Sequence, residues 1–294
     1  NGNTTITTFN VQNLFPDSPD RKFEKLMLAI YYELELPEII IVQEVESESV
    51  LQDLGDRVNA RAGTDYVATS FDTSDVRGIE VGFLWDRNRV SLEDAYQMSG
   101  PDVDDAFGPG SPSPGREPIV GVFEVEGRLV TIVGNHFKSK FGDDPLFGQN
   151  QPPIRITEEQ RKAQAQVVRD FVSEILDADP DALVMVVGDL NDFQFGEPGE
   201  GQDHPLAILE GGAGEVPLIN LINLEKDAER FTYVYDGNSQ VLDHILVSPG
   251  LYELFAAVDI LHFNASFPQY LEYDASTPLR SSDHDAVEGR FELE

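Results

Sequence analysis

The sequence has 294 residues, is 40% hydrophobic, and carries 54 acidic against 20 basic residues, for a formal net charge of −34. That length and apolar content suffice for a sizeable core, while the charge excludes a protein that coats nucleic acid through a basic surface. With no cysteine, the chain has no disulfide framework, no thiolate metal site and no cysteine nucleophile.

Ile6 to Val11 is a β-branched run that predicts a strand, and Phe23, Leu26, Met27 and Ile30 recur with helical spacing. Ile39 to Val42, a short continuous apolar run, predicts a fully buried strand that delivers Gln43-Glu44-Val45-Glu46 at its end. Residues 48 to 62 predict a helix, and Val81 to Trp85 another strand. Gly100 to Pro118 is rich in Gly, Pro and Asp and is expected to be a loop. Ile119 to Val125 and Leu129 to Val133 flank Glu126-Gly127-Arg128 as a hairpin. After an irregular stretch from Gly142 to Ile154, Thr157-Glu158-Glu159-Gln160 has the spacing of a capping box and opens a helix with apolar positions at 163, 167, 168, 171, 172, 175 and 176. Ala182 to Val187 predicts a buried strand ending in Gly188-Asp189-Leu190-Asn191-Asp192. Phe231 to Tyr235 and Val241 to Val247 are expected to form a second hairpin around Asp236-Gly237-Asn238, and the segment from Val287 to Leu293 the last strand.

No linker-like shift in composition and no repeat interrupts this order, so one domain over residues 1–294, built of packed sheets flanked by helices, is expected. No apolar run approaches the roughly 18 residues of a membrane span. The chain begins Asn1-Gly2-Asn3 without Met, which leads us to expect a trimmed form, secreted or periplasmic. Three explanations of the acidity compete. One is a carboxylate surface adapted to high salt, where repulsion is screened over about 3 Å at 1 M; another is an enzyme needing a divalent cation; the third is an acidic surface with no special meaning.

Polar residues of one chemical kind recur where strands end: Asn10, Glu44, Asn135 with His136, Asp189 with Asn191, Asp243 with His244, and Asp283 with His284. A carboxylate at the mouth of a buried strand needs a partner, because an unpaired buried charge is costly. Asp, Glu and Asn are hard oxygen ligands suited to Mg²⁺, Mn²⁺ or Ca²⁺, and no His-Glu-x-x-His pair or thiolate is present for zinc. Carboxylates around a hard cation, with histidines and an arginine, are what phosphoester hydrolysis requires. The absence of a Gly-rich phosphate loop of Walker type disfavours nucleotide-driven chemistry. Each residue also has a plain alternative: Asn10 closing a turn, Glu80 a solvated strand residue, Arg116 an ordinary salt bridge, and Ser281 to Val287 a solvated turn. His244 and His262 match no catalytic position and are taken as structural; His204 is expected to be exposed, and Asp285 to hold its loop in place.

Taken in order, Phe9-Asn10-Val11-Gln12-Asn13-Leu14, Gln43-Glu44-Val45, Gly134-Asn135-His136-Phe137, Gly188 to Asp192, Leu242 to Leu246 and Ser282-Asp283-His284-Asp285 resemble the endonuclease/exonuclease/phosphatase superfamily, the fold of DNase I. Within it the chain looks most like bacterial secreted nucleases. The resemblance implies an α+β fold, a four-layered αββα sandwich of two mixed sheets with the site at one rim. It makes Glu44 the principal metal ligand with Asn10 and Asp283 beside it, and has Asp189 and Asn191 orient the attacking water and the phosphate or hold a second metal. It implies that Asp243 orients His284 and that Glu80 orients His136, with either histidine qualifying as the base. Arg116 matches the family's phosphate-contacting arginine; Asn10, Asn191 and Lys138 complete the expected phosphate contacts.

The expected cofactor is Mg²⁺ or Mn²⁺, with Ca²⁺ as a co-activator or structural ion. The expected function is a secreted, divalent-metal-dependent endonuclease acting on nucleic acid, a monomer without an obligate protein partner. The alternative is a phosphatase or phosphodiesterase for small or lipid substrates. A non-catalytic binding module predicts lost ligands, and none of the core set is missing. Lys138 and Lys140 directly follow His136, with Arg155 and Arg161 further on, so basic groups concentrate where an anionic substrate would be held.

Overall fold

The computed structural model describes residues 2–196, 201 and 203–293. In chain order the first elements are β1 (Thr4–Leu14), α1 (Asp20–Leu28), β2 (Ile39–Val45), α2 (Glu48–Ala62), β3 (Tyr66–Ser70), β4 (Glu80–Asp86), β5 (Ser91–Gln97), α3 (Pro101–Ala106), β6 (Ile119–Val125) and β7 (Arg128–His136). They are followed by α4 (Glu158–Ala178), β8 (Leu183–Asp189), α5 (Pro205–Glu210), β9 (Ile219–Asn220), β10 (Tyr233–Tyr235), β11 (Asn238–Gln240), β12 (Asp243–Val247), α6 (Pro249–Tyr252), β13 (Phe255–Leu261) and β14 (Ala286–Phe291).

The long strands form two mixed six-stranded sheets, ordered β13-β14-β1-β2-β4-β3 and β5-β6-β7-β8-β12-β9. Each sheet has one parallel pair at its centre, β1 with β2 and β7 with β8. The two-residue period of a strand explains why the central segments are apolar without interruption. Ile39 and Ile41 pack between the sheets with Phe83, Ile132 and Ile245, while Ile40 and Val42 face outward against Leu26 of α1 and Leu51 and Leu54 of α2. In β8, Met185 and Val187 join the inter-sheet core, and Val184 and Val186 meet Val168 and Val172 of α4. Burying each such side chain contributes roughly 1.5–3 kcal/mol. The result is the expected αββα sandwich, with helices on both outer faces.

Most predicted elements recur, with three corrections. The stretch from Gly100 to Pro118 contains a short helix, α3, whose proline occupies the first turn, where no backbone N–H is needed. Phe231 to Tyr235 does not pair with Val241 to Val247. Instead β10 pairs with β11, turning through Asp236 and Gly237 at positive φ, and β12 lies between β8 and β9 in the second sheet. The helix α4 begins where expected but without the capping box, since Thr157 donates its hydroxyl to Asp143 (2.8 Å) and Gln160 reaches Ser113 O (2.8 Å). Ala163 on its apolar stripe is exposed, whereas Arg161 and Arg169 are buried by ion pairs and backbone carbonyls.

Lys25 is the least conventional core residue. Its ammonium, buried at 1% exposure, donates toward four carbonyls of one segment, Leu271 (2.9 Å), Asp274 (3.0 Å), Thr277 (2.8 Å) and Leu279 (2.7 Å). It ties the approach to Ser281–Asp285 onto α1. Lys25→Met keeps the stem and strands these acceptors, so it is expected to lower stability by about 2–4 kcal/mol. Urea denaturation with limited proteolysis across 268–280 checks this; an unchanged midpoint would show that the cage is dispensable.

Candidate active site

The C-terminal ends of β2, β7 and β8 and the starts of β12 and β14 open at one rim of the sandwich, around a cavity of about 420 Å³. Glu44, His136, Asp189, Asn191, Asp283 and His284 all line it, so the two sheets supply one site. Close strand approach is part of the design: Gly188 has φ +139°, and a Cβ there would lie 2.0 Å from Asn135 O across the β7–β8 pair. No other residue fits that position.

Glu44 is aimed by a bulge. Gln43 pairs with Val81 and Val45 with Glu80, which leaves Glu44 out of the ladder at φ +68°. The adjacent β1 is displaced too, with Gln12 and Asn13 both at φ +55°, and Asn13 N donates to Glu44 Oε2 at 2.9 Å. A left-handed non-glycine residue costs roughly 1–2 kcal/mol, and here that conformation turns a carboxylate from the sheet into the cavity. Glu44 Oε1 then stands 3.8 Å from His136 Nε2.

Asp189 is the hub of the floor. Its Oδ2 accepts from Asn10 Nδ2 at 3.0 Å and lies 3.5 Å from His136 Nε2 and 3.9 Å from His284 Nε2, while Oδ1 accepts from Asn191 N at 3.0 Å. Burial, then the charge of Asp243, push its carboxyl above the usual range. His284 Nδ1 meets Asp243 Oδ2 at 2.8 Å. Burial opposes its charge, but Asp243 and Asp189 outweigh it and hold the imidazolium well above the ordinary histidine value. His136 moves the other way: burial first, then the charges of Arg116, Arg77 and His284, keep it neutral far below that value. Two histidines on one floor are thus set in opposite protonation states.

Three expected partners are placed elsewhere. Glu80 does not reach His136: it opens β4, turns toward β3 to bond Ser70 Oγ, and is pushed up to about 7 by burial and by Asp72 and Glu46. His136 Nδ1 is buried without a hydrogen-bond partner among the described residues. Arg116 is itself buried behind the cavity wall, donating to Asp75 Oδ2 (2.8 Å) and Phe137 O. Lys138 donates to Ser113 Oγ at 3.2 Å and is not among the residues lining the cavity. The cavity cations are instead Arg77, Lys140 and Arg155. Arg161, also near His136 in sequence, is a strut, fully buried between Asp192 (2.6 Å) and Asp143 (3.1 Å).

Sequence reasoning missed Arg77, which sits just before Gly78 at positive φ and is held by Asp75 at 3.4 Å. It also missed Tyr233, whose ring lies 4.7 Å from that of His284. The signal for Arg77 was its place in Arg77-Gly78-Ile79-Glu80, ahead of a strand. His244 is structural as expected, bonded to Asp192 O at 2.9 Å and lowered by burial to about 4. His204 is buried, not exposed, and caps α5. Asp285 holds its loop: Oδ1 accepts from the backbone of Phe263, Asn264 and Ala265, and Oδ2 meets His262 at 2.8 Å.

The donor chemistry fits a hard divalent cation. Glu44 and Asp283 present carboxylates to the cavity, with Asn10 and Asp189 bonded to each other beside them. Among the described residues, the group of three such ligands whose ligand atoms lie within 4.8 Å of one another is Asp189, Asp243 and His284. The His284–Asp243 hydrogen bond already occupies part of that group, so a cation there competes with the His284 proton.

The sequence matches the model of the "Endonuclease/Exonuclease/phosphatase family" over residues 16–264. No curated protein matches it. Among solved structures it is similar to an endonuclease/exonuclease/phosphatase from Bacteroides vulgatus, at 16% identity and TM-score 0.65 over 99% of both chains. Truncated TDP2 of Caenorhabditis elegans gives 16% and 0.65 over 98% of this chain and 97% of that one. The human Nocturnin catalytic domain with bound sulfate anion gives 16% and 0.62 over 99% and 94%. At these identities the likeness is one of fold.

Proposed function

This chain belongs to the endonuclease/exonuclease/phosphatase family, and on that premise we propose that it is a divalent-metal-dependent phosphodiesterase, an endonuclease cleaving DNA and, by the same chemistry, RNA. The observation that carries this reading is the convergence of Glu44, His136, Asp189, Asp283 and His284 from both sheets into one cavity. Glu44 and Asp283, with Asn10 or Asp189, would hold Mg²⁺ or Mn²⁺. When bound, the ion offsets phosphate charge and polarises the phosphoryl oxygens.

The residues divide the remaining work. Water attacks phosphorus in line, its proton passing to neutral His136, while the bond to the leaving oxygen breaks and His284 protonates that oxygen. Asp243 keeps His284 charged and oriented, and Asn191 and Arg77 meet the phosphate. The bound sulfate of the Nocturnin structure, a tetrahedral oxyanion, is in keeping with a phosphoryl site in this fold. Export into a salt-rich medium accords with a charge of −34. A lipid phosphodiesterase is the second reading, favoured by Phe147, Ile154 and Ile156, which are exposed on the loop beside the cavity.

A substrate panel tests both: plasmid DNA, RNA, a phosphodiester and a phosphomonoester chromogen, and a choline phospholipid, each with Mg²⁺, Mn²⁺ or Ca²⁺ across salt. Polynucleotide cleavage is expected, with activity retained near molar salt. Turnover of the monoester or lipid alone would overturn the nuclease reading, and collapse of activity at high salt would overturn the salt-rich setting.

A further inference from the structure

The rim of the cavity is aromatic, and its cations are already engaged. Lys140 Nζ pairs with Asp192 at 2.9 Å, Arg77 with Asp75 at 3.4 Å, and Arg155 with Glu158 at 2.6 Å. A phosphate chain laid across this mouth must compete with a carboxylate for every positive charge, on a protein of net charge −34. Counterion release therefore has little to work with. What the mouth offers freely is ring surface. Phe141 and Tyr235 line the cavity at 89% and 49% exposure. Phe193, by contrast, is buried beneath the Lys140 ammonium at 4.3 Å and stacked at 5.5 Å on Phe195, so it supports the mouth without offering a free face.

We propose that this enzyme recognises unpaired nucleobases by stacking on the rim formed by Phe141 and Tyr235, so that its substrate is single-stranded polynucleotide bound almost independently of salt. The inference rests on the nuclease reading above and names its substrate class. The catalytic groups lie on a buried floor, with Asp189 at 1% and His136 at 2% exposure. A scissile phosphate reaches that floor if its strand can bend inward, and the flanking bases then turn onto the rings. Duplex DNA keeps its bases paired inward and presents the rim with a polyanion alone. Stacking suits any base, since each has a π-face, and it survives salt that abolishes ion-pair binding.

The segment carrying Phe141 is braced for this role. Arg161 is buried between Asp143 and Asp192, and Asp143 accepts from both Thr157 N (2.9 Å) and Oγ1 (2.8 Å). These bonds hold the start of the 139–157 loop against α4, which leaves the ring of Phe141 outside any core. Tyr235 is placed by the β10–β11 hairpin, the element that the sequence pattern assigned wrongly.

The test compares KM and kcat for a single-stranded oligonucleotide, its duplex, and an abasic backbone of equal length, from about 0.1 M to about 1 M salt, for the full chain and for Phe141→Ser with Tyr235→Ser. The expected KM for the base-bearing strand is about 5- to 150-fold below that of the abasic strand, as for one stacked base. It should rise less than about fivefold over the salt range, the dependence of roughly one released counterion. The double variant should erase the base advantage through KM, with kcat retained. Duplex cleaved as well as single strand, or a base advantage that survives the double variant, would overturn the inference and leave the nuclease reading standing. Loss of sedimentation with phosphatidylcholine vesicles, with oligonucleotide KM unmoved, would make the rim a membrane contact and also overturn it. Failure to cleave any polynucleotide while a chromogenic phosphoester turns over would reject both readings together.

Discussion

Glu44→Gln is expected to lower kcat/KM on a phosphodiester chromogen by about 10²- to 10³-fold, because it removes the anionic oxygen that turns toward the cavity and with it several kcal/mol of charge stabilisation through the bound cation. Metal titration checks the cause: half-activation should move to higher Mg²⁺ or Mn²⁺. The bulge adds a second readout. Glu44 lies at φ +68°, so Glu44→Gly and Glu44→Ala lose the same carboxylate but differ in backbone strain. Both should be inactive, with the glycine variant the more stable by about 1 kcal/mol. Wild-type activity in either variant would remove Glu44 from the site. Equal stability of the two would show that the bulge stores no strain.

Asp243→Asn is expected to reduce kcat by about 10²- to 10⁴-fold, the range of a lost general acid or its orientation. The pH profile separates this from simple disruption. His284 is charged in the native site because Asp243 and Asp189 outweigh the penalty of burial. Without the Asp243 charge its pKa falls, so the acid form is lost at lower pH. The alkaline limb of kcat should therefore shift toward acid, while the acidic limb, set by the neutral partner, should move less. A reduced rate with an unmoved alkaline limb would mean that His284 is not the acid. Asp243→Glu, which restores the charge, should recover part of the limb without full rate.

The extent to which such residues can be read from sequence depends on how local their cause is. Glu44, Asp189 and Asp283 were legible because each follows or precedes a strand whose apolar pattern is unmistakable, and a carboxylate there must be paired or solvated. The His284–Asp243 pair followed from family order and is met in the structure at 2.8 Å. Glu80 was misassigned because its neighbour depends on the β4 register and on which side chain of β3 lies opposite. Those facts are set across strands, not along one. Arg116 and Lys138 have the residue type and the proximity in sequence for phosphate contact, but Asp75 and Ser113 capture them on the far side of the wall. The cation left facing the cavity, Arg77, comes from a turn whose shape is governed by Gly78 and Asp75.

The sequence by itself determined the long central strands and helices, the excess of carboxylates and the set of hard ligands, because apolar period, turn residues and charge act over a few neighbouring residues, and the family order of its motifs implied the sandwich. Only the tertiary structure decided which cations meet the cavity, which histidine is held charged and which neutral, and which rings stand at the mouth. Burial and the distance between groups from different sheets govern protonation and pairing, and neither quantity exists until the two sheets are packed.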